Sequence, residues 1–164
     1  MNIILAMPCI FGSPFGDEVP LDRVKWLIDE AESVGVKEFG VADTAGISNP
    51  ENTRRVLRAI REYTDIGRGS LHMHDAYGMG LANCYVALEE GITMMDASLA
   101  GMGGCPFCPG AKGNIAMEDL IHMLHDMGVE TGYDLGLLNR TAAEMAAEIQ
   151  ANIVSCQGAI CKGA

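Results

Sequence analysis

The chain has 164 residues and a formal net charge of −11, with 49% hydrophobic and 20% charged residues. These values suit one globular domain with its own core. The acidic charge argues against nucleic-acid binding, and no apolar run is long enough to cross a bilayer, so a membrane partner is not expected either.

Short apolar runs alternate with stretches of helical periodicity along the whole chain. The predicted strands cover residues 3–10, 36–41, 70–75 and 92–99. The first helix begins at Pro20 and ends at Gly35. The second has Asn49 as its cap and Pro50 as its first residue. The third ends at Gly91, and the fourth covers residues 117–127.

A last helix is predicted near the C-terminus. Thr141 and Glu144 form the spacing of a capping box, so we expect the helix to begin near Thr141. Its apolar positions would be Met145, Ile149, Ile153 and Val154. The excess of Asp and Glu is expected to lie mainly on solvated helix faces.

The βαβαβαβα order predicts an α/β fold with a parallel sheet and right-handed crossovers. Four such units form either a small open sheet or half of an eight-stranded barrel. We expect a single domain over residues 1–164. Four βα units would occupy residues 1–138, and a C-terminal helix and tail residues 139–164.

His72 and His74 end the third predicted strand, where parallel α/β folds place their ligand sites. Side chains two residues apart point to the same face of a strand, so the two imidazoles could share one metal ion. The alternative is that one histidine packs in the core and the other is solvated. His122 and His125, three apart on a helix, are expected to be solvated.

A glycine-rich segment, residues 101–114, follows the fourth strand and contains Cys105 and Cys108. It fits neither a P-loop nor a dinucleotide fingerprint, because the glycine spacing is wrong. A redox CxxC is one interpretation, and a glycine-hinged lid over a site is the better physical account. Because the six cysteines come without a secretory signal, we expect reduced thiols and a cytoplasmic location.

Several motifs together resemble the 3-hydroxy-3-methylglutaryl-CoA lyase family of metal-dependent, pyruvate-carboxyltransferase-like barrels. The resemblance covers nearly the whole chain and corresponds to the last four of eight barrel units. The motifs are LHMHDAYGMGLAN at 71–83, DASLAGMGGCPF at 96–107, GNIAMEDL at 113–120, GVADTAG at 40–46 and GSPF at 12–15.

The resemblance implies a role for each matching residue. Mg²⁺ or Mn²⁺ would be held by His72, His74 and Asn114, with His72 also catalytic. Cys105 would transfer a proton, and Asp43 and Thr44 would line the substrate site. The implied reaction cleaves a 3-hydroxyacyl-CoA into acetyl-CoA and a ketoacid. The loop glycines of the motif are Gly103, Gly104, Gly110 and Gly113.

The same resemblance shows a departure from the family. The Arg-Asp pair that ends the family's first strand cannot be located in this chain, and two histidines with one amide supply no anionic ligand for a hard cation. We therefore expect activity to need a complementary N-terminal half-barrel. The alternatives are a non-catalytic half-barrel that self-associates, and part of a related homocitrate- or isopropylmalate-synthase-type enzyme.

Overall fold

The computed structural model describes residues 1–104 and 112–161. Its sheet has four parallel strands in the order β1-β2-β3-β4, which confirms the predicted α/β architecture. In register, Met7 of β1 pairs with Val41 of β2, and Val41 pairs with Leu71 of β3. The strands are β1 (Ile4–Met7), β2 (Glu38–Asp43), β3 (Gly69–Met73) and β4 (Met94–Asp96).

Helices connect successive strands and continue after β4. They are α1 (Leu21–Ser33), α2 (Pro50–Arg61), α3 (Gly80–Glu89), α4 (Met117–Asp126), α5 (Leu135–Glu148) and α6 (Cys156–Cys161). Two 3-10 turns occupy Ile66–Arg68 and Leu99–Gly101. In the part of the chain that the structure describes, no helix is both long and apolar enough to cross a membrane.

The core lies between one face of the sheet and helices α1 to α4. Val41, Leu71 and Met73 are buried on that face, and they pack with Leu57 of α2 and Leu120 of α4. Residues of β2 and β3 alternate strictly between buried and partly exposed, because successive strand side chains point to opposite faces. Within the described residues, the second face of the sheet is therefore more exposed than the first.

Three predicted helix ends are confirmed. The Asn49 side chain accepts a hydrogen bond from the Asn52 N–H at 2.9 Å, and Pro50 follows as the first residue of α2. Gly35 follows α1 with φ +87°, and Gly91 follows α3 with φ +101°. Glycine adopts these left-handed values without the penalty that a Cβ imposes.

The first and fourth strands are shorter than predicted. β1 ends at Met7, because Pro8 has no N–H to donate and Cys9 has a left-handed φ of +60°. β4 covers only Met94–Asp96, since it pairs with β3 alone at the edge of the sheet.

The predicted start of the last helix is wrong. α5 begins at Leu135, because Asp134 Oδ1 accepts a hydrogen bond from the Leu137 N–H at 2.9 Å, and Thr141 lies inside the helix. The expected division after residue 138 therefore falls within α5. Ile153 and Val154 are not helical, since α5 ends at Glu148 and Gln150 has φ +55°. The short helix α6 was not predicted.

Candidate functional site

His72 and His74 point to the same side at the carboxyl end of β3. Their Nε2 atoms lie 3.3 Å apart, and the rings meet edge to face with centroids 5.2 Å apart. His74 is buried and His72 is half-buried. The structure thus brings together the pair that the His-x-His spacing predicts. Because His74 is buried and His72 is more exposed, the arrangement also fits the alternative of one packed and one solvated histidine, and the shared metal ion stays a prediction.

The surroundings of His72 favour its neutral form. Burial lowers the pKa of His72, the positive charge of a protonated His74 lowers it further, and the Asp96 carboxylate opposes both effects. Asp96 Oδ2 lies 3.8 Å from His72 Nδ1. A carboxylate on that side favours a proton on Nδ1, which leaves the Nε2 lone pair for a ligand.

Asn114 lies beside His74, because the chain after the glycine-rich loop pairs with the end of β3. The two residues form an antiparallel bridge, the Asp75 N–H donates to Gly113 O at 2.9 Å, and the Ile115 N–H donates to Met73 O at 3.2 Å. The Asn114 Nδ2 group donates to Met102 O at 2.9 Å. This hydrogen bond restrains the amide, whose carbonyl oxygen is the atom of the side chain that could bind a cation.

Two loop glycines permit this close approach. Gly103 has φ +103°, and a Cβ there would lie 2.6 Å from Asn114 Nδ2. A Cβ at Gly113 would collide with the backbone of Gly103, whereas Gly104 has open space around its Cα. Cys105 and Gly110, which the sequence assigns to catalysis and to the loop, lie outside the described residues.

Asp43 holds the loop that follows β2. Its two carboxylate oxygens accept hydrogen bonds from the N–H groups of Ile47 at 3.2 Å and Ser48 at 2.8 Å. Burial raises the pKa of Asp43, against these backbone donors and the nearby charge of His74. Thr44 Oγ1 accepts a hydrogen bond from the Cys9 N–H at 3.2 Å. Both residues thus order the strand ends beside His74, and their contact with a substrate stays a prediction.

An open groove of ≈ 730 Å³ runs along the second face of the sheet. His72 and Asp96 lie in its wall with apolar and small side chains of all four strands, and Tyr133 also lines it. Ile4 and Met94 are 49% and 44% exposed there. The position of Tyr133, in the loop before α5, was not predicted, because loop geometry leaves no periodic signal in the sequence.

The donor set is consistent with a divalent cation but contains no anionic ligand. Two imidazole nitrogens converge, and the backbone of Asn114 pairs with that of His74 beside them. Within residues 1–104 and 112–161, no group of three or more His, Cys, Asp or Glu side chains could hold a metal ion. His122 and His125 lie on α4 beside Asp126 and Thr131, respectively.

The expected solvated position of acidic side chains is wrong for Glu118 and Glu90, which are both buried. Glu118 accepts hydrogen bonds from the Ala100 N–H and the Ser155 hydroxyl. Glu90 forms ion pairs with Arg54, Arg58 and Arg61. Partners distant along the chain compensate for the burial of these charges. Helical periodicity depends only on residues near in sequence, so it cannot predict such partners.

The sequence is similar to one family model and to several known proteins. The family model described as HMGL-like matches residues 4–145. The mitochondrial hydroxymethylglutaryl-CoA lyase of Gallus gallus is 39% identical over 133 residues, which cover 81% of this chain and 45% of the relative. The 3-hydroxy-3-isohexenylglutaryl-CoA/hydroxy-methylglutaryl-CoA lyase of Pseudomonas aeruginosa is 38% identical over 79% of this chain and 43% of its own length.

Solved structures agree with the sequence relatives. The HMG-CoA lyase of Bacillus subtilis superposes with a TM-score of 0.92 at 33% identity, over 97% of this chain and 53% of that chain. An HMG-CoA lyase from Acinetobacter baumannii, solved in complex with coenzyme A and 3-methylmalate, gives a TM-score of 0.88 at 32% identity, over 94% and 51%. The chain thus spans about half the length of the relatives that it matches.

Proposed function

The chain belongs to the HMGL-like family, and we propose from this membership and the site that it is the C-terminal, metal-binding half of a hydroxymethylglutaryl-CoA lyase-like enzyme. The reaction would cleave a 3-hydroxyacyl-CoA into acetyl-CoA and a ketoacid. The observation that carries the proposal is the convergence of His72 and His74 beside Asn114 at the carboxyl ends of the strands.

His72, His74 and Asn114 would hold the cation, Mg²⁺ or Mn²⁺. When bound, a divalent ion stabilises negative charge on the substrate's hydroxyl and carboxylate oxygens. The paired imidazoles offer Nε2 lone pairs, because the site favours the neutral form of His72 and the Asp96 carboxylate faces its Nδ1. A hard cation prefers oxygen ligands, so we infer that the substrate and a further segment complete the set.

The chemistry needs one base and one acid. A base removes the substrate's 3-hydroxyl proton, the bond between C2 and C3 breaks to give the ketone and the acetyl-CoA enolate, and an acid returns a proton to the enolate carbon. His72, half-buried and in the groove, is the proposed group of this chain at the hydroxyl. Cys105 is proposed as the proton donor on the resemblance alone. Asp43 and Thr44 would order the strand ends that line the substrate.

We further propose that the groove face is covered by a complementary half-barrel. Ile4 and Met94 are exposed on this face, and relatives with the same fold contain about as much chain again. Apolar side chains exposed in one continuous groove are typical of surfaces that another element covers. A cytoplasmic location stays part of the proposal on the cysteine argument alone, and several relatives are named as mitochondrial.

A chimaera tests the proposed activity. The segment of the Bacillus subtilis enzyme that this chain does not match would be fused ahead of residue 1, and acetyl-CoA release from 3-hydroxy-3-methylglutaryl-CoA would be measured with Mg²⁺ or Mn²⁺. We expect turnover by the chimaera and none by the 164-residue chain alone. His74→Ala in the chimaera should lower kcat at least about 100-fold, while His122→Ala, at a partly exposed histidine on α4, should not.

Two results would contradict the proposal. One is a chimaera that folds with the circular dichroism of a barrel, binds Mn²⁺ and releases no acetyl-CoA. The other is robust turnover by the chain alone, because the proposal assigns part of the site to a complementary half-barrel. Sedimentation of the chain as a dimer would instead favour self-association through the groove face.

A further inference from the structure

The C-terminal segment is joined to the start of the glycine-rich loop through one buried carboxylate. Glu118, in the first turn of α4, is fully buried, and each of its two oxygens accepts the Ala100 N–H at 3.0 Å. The Ser155 hydroxyl donates to Glu118 Oε1 at 2.7 Å, and Ser155 is also buried. Burial of a carboxylate is costly unless hydrogen bonds compensate for lost water, and these donors supply that compensation.

Glu118 binds the backbone at a sharp turn, here called the corner, where Ala100 and Gly101 both have left-handed φ values. Ala100 has φ +57° and Gly101 has φ +66°. A left-handed alanine costs free energy, so its surroundings must impose this conformation. Glu118 occupies the Ala100 N–H, and the Val154 N–H donates to Ala100 O at 3.2 Å. Both the N–H and the C=O of Ala100 therefore form hydrogen bonds with residues outside the corner.

Residues 151–158, here called the strap, pack against this corner. A Cβ at Gly101 would lie 2.7 Å from Val154 Cγ2, so glycine allows the strap to approach this closely. Farther along, Asp119 accepts hydrogen bonds from the N–H groups of Cys156 and Gln157, both at 2.8 Å. Adjacent residues of α4, Glu118 and Asp119, thus fix the strap at two successive points.

The corner leads directly to the Asn114 side chain. Met102 O, the first carbonyl after the corner, accepts hydrogen bonds from the Ser98 hydroxyl at 2.6 Å and from Asn114 Nδ2 at 2.9 Å. Through this hydrogen bond, the carbonyl restrains the orientation of the Asn114 amide. A continuous path of contacts therefore runs from Ser155 through Glu118, Ala100 and Met102 to Asn114.

We propose that Glu118 and Ser155 are positioning residues, through which the strap orients the Asn114 amide for its cation. The inference rests on the proposed function, because it takes Asn114 as a metal ligand. The strap does not touch the histidine pair along this path. Its loss should therefore weaken cation binding through Asn114 and leave the arrangement of His72 and His74 in place.

The test is to detach the strap in the 164-residue chain. Asp119→Ala removes the acceptor of the Cys156 and Gln157 N–H groups, and Ser155→Ala removes the hydroxyl that donates to Glu118 and accepts from the Gly158 N–H. The side-chain amide signals of Asn114 in a ¹H–¹⁵N spectrum, assigned by their absence in Asn114→Asp, report its orientation without metal. We expect these signals to shift and Mn²⁺ affinity, measured by electron paramagnetic resonance, to fall about 10-fold.

Two further variants serve as controls. Ser155→Thr keeps the hydroxyl and should restore the parent signals and affinity, whereas Ser33→Ala removes an exposed hydroxyl on α1 and should change neither. If the double variant does not fold, as judged from the backbone amides of β2 and β3, Ser155→Ala alone provides the same readout with a smaller shift.

The outcomes separate this inference from the proposed function. Unchanged Asn114 signals in a folded variant whose Cys156 amide has lost exchange protection would overturn the positioning role. Absence of Mn²⁺ binding by the parent chain would overturn the metal site, while the Asn114 signals would still decide whether the strap orients the amide. A shift of the signals with unchanged Mn²⁺ affinity would also overturn the inference.

Discussion

The two faces of the sheet differ in what they contribute. On the face that the helices cover, Val41, Leu71 and Met73 are buried and join the core. On the other face, Ala42 and His72 line a groove with exposed apolar neighbours. Stability therefore comes mainly from one set of alternating residues, and the candidate chemistry comes from the other. Substitutions at adjacent positions of one strand should therefore affect different properties: stability on the covered face and the candidate site on the groove face.

The largest expected effect is on stability at the covered face. Leu71→Ala removes a buried side chain and should lower the free energy of unfolding by about 3 kcal/mol, because the cavity adds to the lost burial. Ser70→Ala, the neighbour on the groove face, should change it by less than about 0.5 kcal/mol. Urea unfolding followed by circular dichroism measures both, and equal effects would contradict the division into two faces.

The second expected effect is a loss of stability at Gly46, which lies in the loop after β2 and close to His74. A Cβ at Gly46, where φ is +64°, would lie 2.7 Å from Ala76 Cβ and 3.2 Å from His74 Cβ. Gly46→Ala should therefore cost about 2 kcal/mol of stability, through both backbone strain and crowding. Gly16→Ala is the matched control, because φ there is +83° and a Cβ would meet nothing. Similar unfolding free energies for the two variants would show that crowding at His74 is absent.

A smaller effect is expected in the glycine-rich loop. Gly103→Ala would place a Cβ 2.6 Å from Asn114 Nδ2, so we expect Mn²⁺ affinity to fall about 10-fold, or about 1.4 kcal/mol. Gly104→Ala, where a Cβ has open space, should bind Mn²⁺ as the parent does. Calorimetric titration of both proteins provides the comparison. Equal loss in both variants would indicate a general effect of loop stiffness.

The smallest expected effect concerns Cys84 on the covered side, whose thiol should react slowly with an alkylating reagent. Burial raises the pKa of Cys84 to about 12, with a further contribution from the charge of Asp75. Near pH 8 almost none of this thiol is ionised, so iodoacetamide should label exposed Cys156 well before Cys84. Peptide mass spectrometry after timed labelling measures each site. Labelling of Cys84 at the rate of Cys156 would mean that the covered face opens.

Periodicity alone predicts those features that depend on neighbours along the chain. The parallel sheet follows from alternating strands and helices, and the caps at Asn49 and Gly35 are local signals that the structure confirms. The pairing of His72 with His74 follows from the two-residue period of a strand. In each case the relevant partner lies within a few residues.

Prediction fails where two local signals compete or where a partner is distant. Asp134 caps α5, so the capping-box spacing at Thr141 lies within a helix that is already formed. Glu118 has the appearance of a solvated residue in a first helical turn, yet its partner Ser155 is 37 residues away. The orientation of Asn114 likewise depends on Met102 O, a backbone group that carries no sequence signal of its own.

A Mn²⁺ titration of the 164-residue chain tests the metal site most directly. Electron paramagnetic resonance would count bound ions in the parent, in His72→Ala and in His122→Ala, whose histidine is also partly exposed but lies on α4. We expect one weakly bound ion in the parent and in His122→Ala, and affinity at least about 10-fold lower in His72→Ala. Equal binding by the two histidine variants would contradict a cation site at the end of β3.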